Sequence, residues 1–333
     1  MSAARALLAL AFVLPSAQAQ QDAATMATAP APAAPVPPLD SLPTLPGDLA
    51  SGLTDGRAIF QQFRAGLAEP DCDAAAGRRW RGQFAHAPDR LADEDENVLP
   101  LFGYVVGELR QAGLPTEFAL IPFVESGYRP GVRNGTGPAG LWQFIGGTAR
   151  LHGVEMRAGY DGRLSPVEST QAAVSYLKKL YADLGGNWQL TVMAYNAGEG
   201  RLVQSLRRAG MSTADARPRD LPGLSPVTYT YVQKLHALAC ALEDAGHRPD
   251  WQQAMQRQVP RLLPRPLPHS WTGLAAWAEH ENQDLELLAS LNPALVPLRR
   301  GAAAPRYVLA PVAPGGDADA LGVGAVADPA DDS

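Results

Sequence analysis

The chain has 333 residues, of which 46% are hydrophobic and 19% charged, enough to bury one sizeable core plus a smaller module. A formal net charge of −6 and a pI near 5.5 exclude nucleic acid as the main partner, because binding phosphates needs a basic face. The short basic cluster Arg78, Arg79 and Arg81 reads as a solvated helix face instead.

Arg5 precedes an apolar run from Ala6 to Leu14, and Ala17-Gln18-Ala19 follows as a small-x-small cleavage site. This predicts a secretory signal over residues 1–19, too short to span a bilayer. No cysteine follows the run, so no lipid anchor is expected there, and no later stretch is apolar enough to be an integral membrane segment. The expected setting is the periplasm, where disulfides persist. Cys72 and Cys240 either bond to each other, tying the N-terminal region to the end of the central domain, or are separately buried thiols. Their number and spacing suggest neither a metal site nor a nucleophile, and no cofactor is expected.

Residues 20–50, rich in Ala, Pro, Gln and Thr, predict a tether that cannot build a core. Helical patterning starts near Asp55, giving an N-terminal helical extension over 51–95. Val98, Leu101, Phe102, Val105 and Leu109 recur at helical spacing, with Gly113 placed to end that helix. The apolar run 118–125 predicts another helix despite Pro122 inside it. Gly127 to Gly147 is dense in Gly, Asn, Pro and Thr and reads as loop, interrupted by Leu141-Trp142-Gln143-Phe144. Ser169 is placed as an N-cap for the stripe Ala173, Val174, Leu177, Leu180, Tyr181 and Leu184, stopped by Gly185-Gly186. Leu190–Asn196 and Val227–Leu242 predict two more helices, completing a central domain over 96–246. Residues 247–266, rich in Pro, Arg and Gln, read as a linker. Residues 267–312 follow as a small module with two short helices between Gly273 and Asn292 and a strand from Arg306 to Ala310. Residues 313–333 are a Gly, Ala and Asp tail. The fold class is mainly α.

Glu125 ends the apolar run Phe118-Ala119-Leu120-Ile121-Pro122-Phe123-Val124. A carboxyl group at such an edge is costly to ionise, so it can hold a proton near neutral pH and deliver it to a leaving group. Ser126 follows at once and either hydrogen-bonds Glu125 or a substrate, or caps a helix. Gln143 offers a donor and an acceptor to sugar acetamide and hydroxyl groups. Trp142 either stacks on a sugar or belongs to the core. Tyr195 and Asn196 can reach a reacting sugar for which Ala197 and Gly198 leave room, or Asn-Ala-Gly is only a helix terminus. Glycosidic cleavage usually uses two carboxylates. Asp161 is the best second one, although Asp-Gly is a common turn pair.

Glu125-Ser126, Gly140-Leu141-Trp142-Gln143-Phe144 and Ala194-Tyr195-Asn196-Ala197-Gly198 stand in the order and spacing of the lytic transglycosylase (SLT) domain. Over roughly 55–245 the chain resembles that family, whose fold is related to goose-type lysozyme. With Trp142, Tyr160-Asp161-Gly162-Arg163 and its upstream helical region, it looks most like the membrane-bound lytic murein transglycosylase D type. The resemblance implies a lysozyme-like helical domain and peptidoglycan glycan strands as the partner. The implied reaction is cleavage of the β-1,4 bond between N-acetylmuramic acid and N-acetylglucosamine. Glu125 would act as general acid and then as base while the muramyl C6 hydroxyl closes a 1,6-anhydro ring, which needs no second carboxylate. Tyr231-Val232 resembles a late motif whose Tyr approaches that Glu, so Tyr231 joins Ser126, Trp142, Gln143, Tyr195 and Asn196 as substrate-site residues. The chain departs from the family in having Val227 in place of the usual Glu and Pro138 in place of the usual Ala. Leu285–Pro311 resembles a degenerate LysM module of βααβ order. Two other functions stay open here: a lysozyme-like hydrolase using Asp161, and a non-catalytic peptidoglycan-binding protein.

Overall fold

The structure, a computed structural model, describes residues 52–72, 78–135, 137–268, 270–298 and 305–312. The expected signal, tether and tail lie outside them. Strand β1 (Leu53–Asp55) leads into α1 (Gly56–Ala65), where the Asp55 side chain accepts from the Arg57 N–H and caps the helix. Ile59, Phe60 and Phe63 are its buried face. Two short helices follow, α2 (Arg78–Gln83) and α3 (Ala87–Ala92). Next comes α4 (Val98–Gln111), which buries the expected Val98, Leu101, Phe102, Val105 and Leu109; Gly113, at φ 68°, turns the chain away.

The run expected as one helix up to Glu125 is two pieces. A 3-10 turn over Thr116–Leu120 gives way to α5 (Ile121–Glu125), with Pro122 in its first turn. Proline is accommodated there because its missing N–H would have no intrahelical partner. A loop then runs to α6 (Gly146–Leu151) and a tight hairpin of β2 (Met156–Arg157) and β3 (Tyr160–Asp161). Helix α7 (Pro166–Asp183) begins one turn before the expected cap. Ser165, not Ser169, is the N-cap, accepting from the Glu168 N–H, while the Ser169 hydroxyl donates back to the Ser165 carbonyl. Proline at the first helical position and Glu168 three residues after Ser165 are the signals that fix this start.

Helix α8 (Trp188–Ala197) is buried at every position except Gln189 and turns at Gly198 into α9 (Glu199–Ala209). The longest helix described, α10 (Pro226–Gly246), packs against α8, α2 and α3. Among the described residues, no helix is long and apolar enough to cross a membrane.

Residues 249–266 are not an unstructured linker. They form α11 (Pro249–Ala254), β4 (Gln258–Pro260) and β5 (Leu262–Pro266), and they bury Trp251, Met255, Val259 and Leu262. β4 pairs antiparallel with β1, which stitches the start of the described chain to the end of the central domain. β5 pairs antiparallel with β6 (Tyr307–Pro311), with α12 (Leu274–His280) and α13 (Leu285–Leu291) between them in sequence. The strand–helix–helix–strand order is the expected one, but its first strand holds Pro264 and Pro266. In a two-stranded sheet both strands are edges, so a proline can turn its N–H-less side outward.

The main core runs from Ile59 to Leu309. A second cluster joins Trp271, Leu274, Trp277, Leu288 and Val308 of the C-terminal module to Ala139, Tyr160 and Leu164. The module therefore packs against the loop that carries residues 140–144. Cys72 and Cys240 are disulfide-bonded, with Cα atoms 5.6 Å apart.

Candidate active site

Glu125 ends α5 with only 5% of its surface exposed. Tyr231, from the buried face of α10, donates its hydroxyl to Glu125 Oε1 at 2.6 Å. Burial pushes the Glu125 pKa up to about 7, while the Tyr231 hydrogen bond and the charge of Lys234 pull it down less strongly. The carboxyl can thus hold a proton near neutrality and remains able to release it. Burial, followed by the neighbouring Glu125 charge, also raises the Tyr231 and Tyr195 hydroxyls well above the usual phenol range, so both stay protonated as donors.

A loop shaped by Arg163 walls the site. The Arg163 guanidinium, almost fully buried, donates to the Gly137 and Phe144 carbonyls at 2.8 and 3.1 Å and pairs with Asp161. Gly140 adopts φ 82°, and a Cβ there would lie 1.7 Å from the Arg163 carbonyl oxygen, so only glycine fits. Gln143 also takes a left-handed backbone, at φ 49°. Its Nε2 donates to the Gly140 carbonyl at 2.7 Å, while its Oε1 is buried with no hydrogen-bond partner among the described residues.

Three expected site residues hold this loop from within. Ser126 does not hydrogen-bond Glu125; its hydroxyl donates to the Leu141 carbonyl at 2.8 Å. Tyr195, on α8, donates to the Trp142 carbonyl at 3.0 Å. Trp142 has no exposed surface, and its indole N–H donates to Thr170 Oγ1 at 3.0 Å. Its ring is core, and the expectation that it binds substrate is corrected: no face is open for a sugar to stack on. Asn196 accepts at Oδ1 from the Thr228 hydroxyl at 2.9 Å, and its buried Nδ2 has no partner among the described residues. Thr228 thus anchors α10 to α8 even though Val227 stands beside it.

Asp161 is bound to Arg163 at 2.9 Å and to Arg133 at 2.7 Å. Burial raises its pKa, but these arginines more than offset that, and the carboxyl sits below its usual value. Its ion pairs make it a structural anion for the loop. Sequence reading missed the roles of Arg163 and Lys234. Lys234 stands three residues beyond Tyr231, a spacing that puts both on one helix face.

Residues 106–217 match the transglycosylase SLT domain. The chain is 30% identical over 258 residues to the membrane-bound lytic murein transglycosylase D of Escherichia coli K12, covering 76% of this chain and 54% of that protein. It is 36% identical over 95 residues to the soluble lytic murein transglycosylase of the same strain, covering 27% of this chain and 15% of that one. Over 83 residues it is 36% identical to the peptidoglycan transglycosylase gp16 of phage T7, covering 25% and 6%. The chain thus spans about half the length of the transglycosylase D relative. The stretch that carries Glu125 and the Gly137–Phe144 loop is thus similar to the transglycosylase SLT domain.

Proposed function

We propose that the chain is a periplasmic lytic transglycosylase cleaving the β-1,4 bond between N-acetylmuramic acid and N-acetylglucosamine of peptidoglycan. The observation that carries this reading is a buried carboxyl with a pKa of about 7, backed by a tyrosine donor and set in a stretch similar to the SLT domain. Protonated Glu125 gives its proton to the bridging oxygen as the bond from that oxygen to the muramyl C1 breaks. The resulting carboxylate, held by the Tyr231 hydroxyl, takes the proton of the muramyl C6 hydroxyl as its oxygen bonds to C1. The product is a 1,6-anhydro sugar, no water is consumed, and Glu125 ends protonated as it began.

The partnerless Gln143 Oε1 and Asn196 Nδ2 are an acceptor and a donor. An N-acetyl group offers the complementary N–H and carbonyl, and these two side chains are the contacts assigned to it. Ser126, Tyr195 and Trp142 act indirectly, by fixing the loop that presents Gln143.

Digesting purified peptidoglycan and weighing the fragments tests the reading. Products one water lighter than hydrolytic ones are expected, and Glu125→Gln is expected to abolish their release while glycan binding persists. Ordinary reducing ends would make the protein a hydrolase, and no release by the wild type would make it a binding protein.

A further inference from the structure

The positive charge that Glu125 feels comes from a residue with no place in the mechanism so far. Lys234 lies one turn along α10 from Tyr231 and leaves the helix on the same side, half-buried. Its Nζ sits 4.9 Å from the centre of the Trp80 ring on α2. That ring is held in turn by its indole N–H, which donates to Gln233 Oε1 at 3.4 Å. The Arg79 guanidinium lies 4.8 Å from the same ring. Trp80 thus offers its electron-rich face to the ammonium and holds it one turn along α10 from Tyr231.

We propose that Lys234, steadied against Trp80, is a positioning residue that supplies the positive charge facing the Glu125 carboxylate formed when the proton leaves. The proposal rests on the transglycosylase reading for its role in turnover, though not for the charge interaction itself. A neutral glutamic acid is comfortable in this pocket, whereas the carboxylate left after proton transfer is not, and Tyr231 provides one hydrogen bond to it. A cation acting through a low-dielectric pocket favours the ionised form without touching the substrate.

Among the described residues, Tyr231 of α10 contacts the Glu125 carboxyl, Lys234 of α10 and Tyr195 of α8 interact with its charge, and Arg79 of α2 acts on Lys234. The tyrosines remain neutral, so the charge is Lys234's to give. Burial and the Arg79 charge loosen the Lys234 proton while Glu125 tightens it, which makes the Glu125–Lys234 interaction mutual.

Lys234→Met keeps the aliphatic stem on Trp80 and removes the charge. Two readouts are compared with wild type: the alkaline limb of the kcat/KM profile for glycan cleavage, and the titration midpoint of the Glu125 carboxyl carbon followed by NMR. Both are expected to move upward by about one pH unit, since an opposite charge close to a carboxyl lowers its pKa by that order. Lys234→Arg should restore both, and Trp80→Ala should shift them the same way by less. Midpoints that stay at the wild-type value in Lys234→Met would overturn the proposal. If that variant does not fold, Lys234→Gln serves in its place. If the wild type releases no product, the transglycosylase reading fails, while the NMR midpoint still decides whether Lys234 acts on Glu125.

Discussion

At the scale of the single residue, Glu125 is a stability liability that the proposed chemistry requires. Its carboxyl titrates at about 7 in the folded protein against 4.5 as the ordinary value, so the folded state holds the proton more tightly than the unfolded one. The sign follows: this contribution is fully present below pH 4.5 and is lost as pH rises towards 7 and beyond. Glu125→Gln escapes that loss. In denaturant titrations the variant is expected to gain on wild type by on the order of 3 kcal/mol between pH 4 and pH 8. A difference that stays constant over that range would mean that the Glu125 proton affinity is not raised. The sequence made this residue legible because its signal is local, a carboxyl at the end of an apolar run. The roles of Trp142, Ser126 and Tyr195 were not legible. Whether a ring or hydroxyl faces groove or core depends on what packs behind it, and here Thr170 and the carbonyls of Leu141 and Trp142 claim these groups.

At the scale of the element, the loop from Gly137 to Phe144 has almost no regular structure, yet it is fixed at many points. Arg163 binds its carbonyls, Gly140 supplies the left-handed turn, and Ser126 and Tyr195 hold it from beneath. Gly140→Ala would drive a methyl into the Arg163 carbonyl at a backbone angle that alanine resists. A loss of about 4 kcal/mol or more is expected, read as a steep fall in the thermal midpoint or failure to fold. An unchanged midpoint would show that the loop can give way there. The helices were largely readable from spacing, because α4, α7 and α8 carry long apolar stripes or buried runs. Their starts were less readable: at α7 two serines compete, and Pro166 with Glu168 selects Ser165. Strands β4 and β5 were hidden by prolines, which argue against strands in general but not at the edges of a two-stranded sheet, whereas β6 was readable.

At the scale of the whole molecule, three joins hold the parts together: the β1–β4 pair, the disulfide, and the second core cluster that seats the C-terminal module on the site loop. The disulfide spans a sequence separation of 168 residues. Replacing both cysteines by alanine releases a large loop in the unfolded chain and is expected to cost about 4 kcal/mol, seen as a lower denaturation midpoint than that of the oxidised protein. Equal midpoints would mean that the bond contributes no stability. This pairing was open in the sequence, since two cysteines so far apart say nothing of their distance in space. The same bond has a consequence for proteolysis. Glu125, Gln143, Asn196 and Tyr231 all lie between Cys72 and Cys240 in the chain. The candidate site is therefore carried on a covalent ring, and a protease that nicks the Gly127–Gly147 loop opens the ring without freeing either fragment. Both halves of the cleft travel together until a reductant cuts the second link.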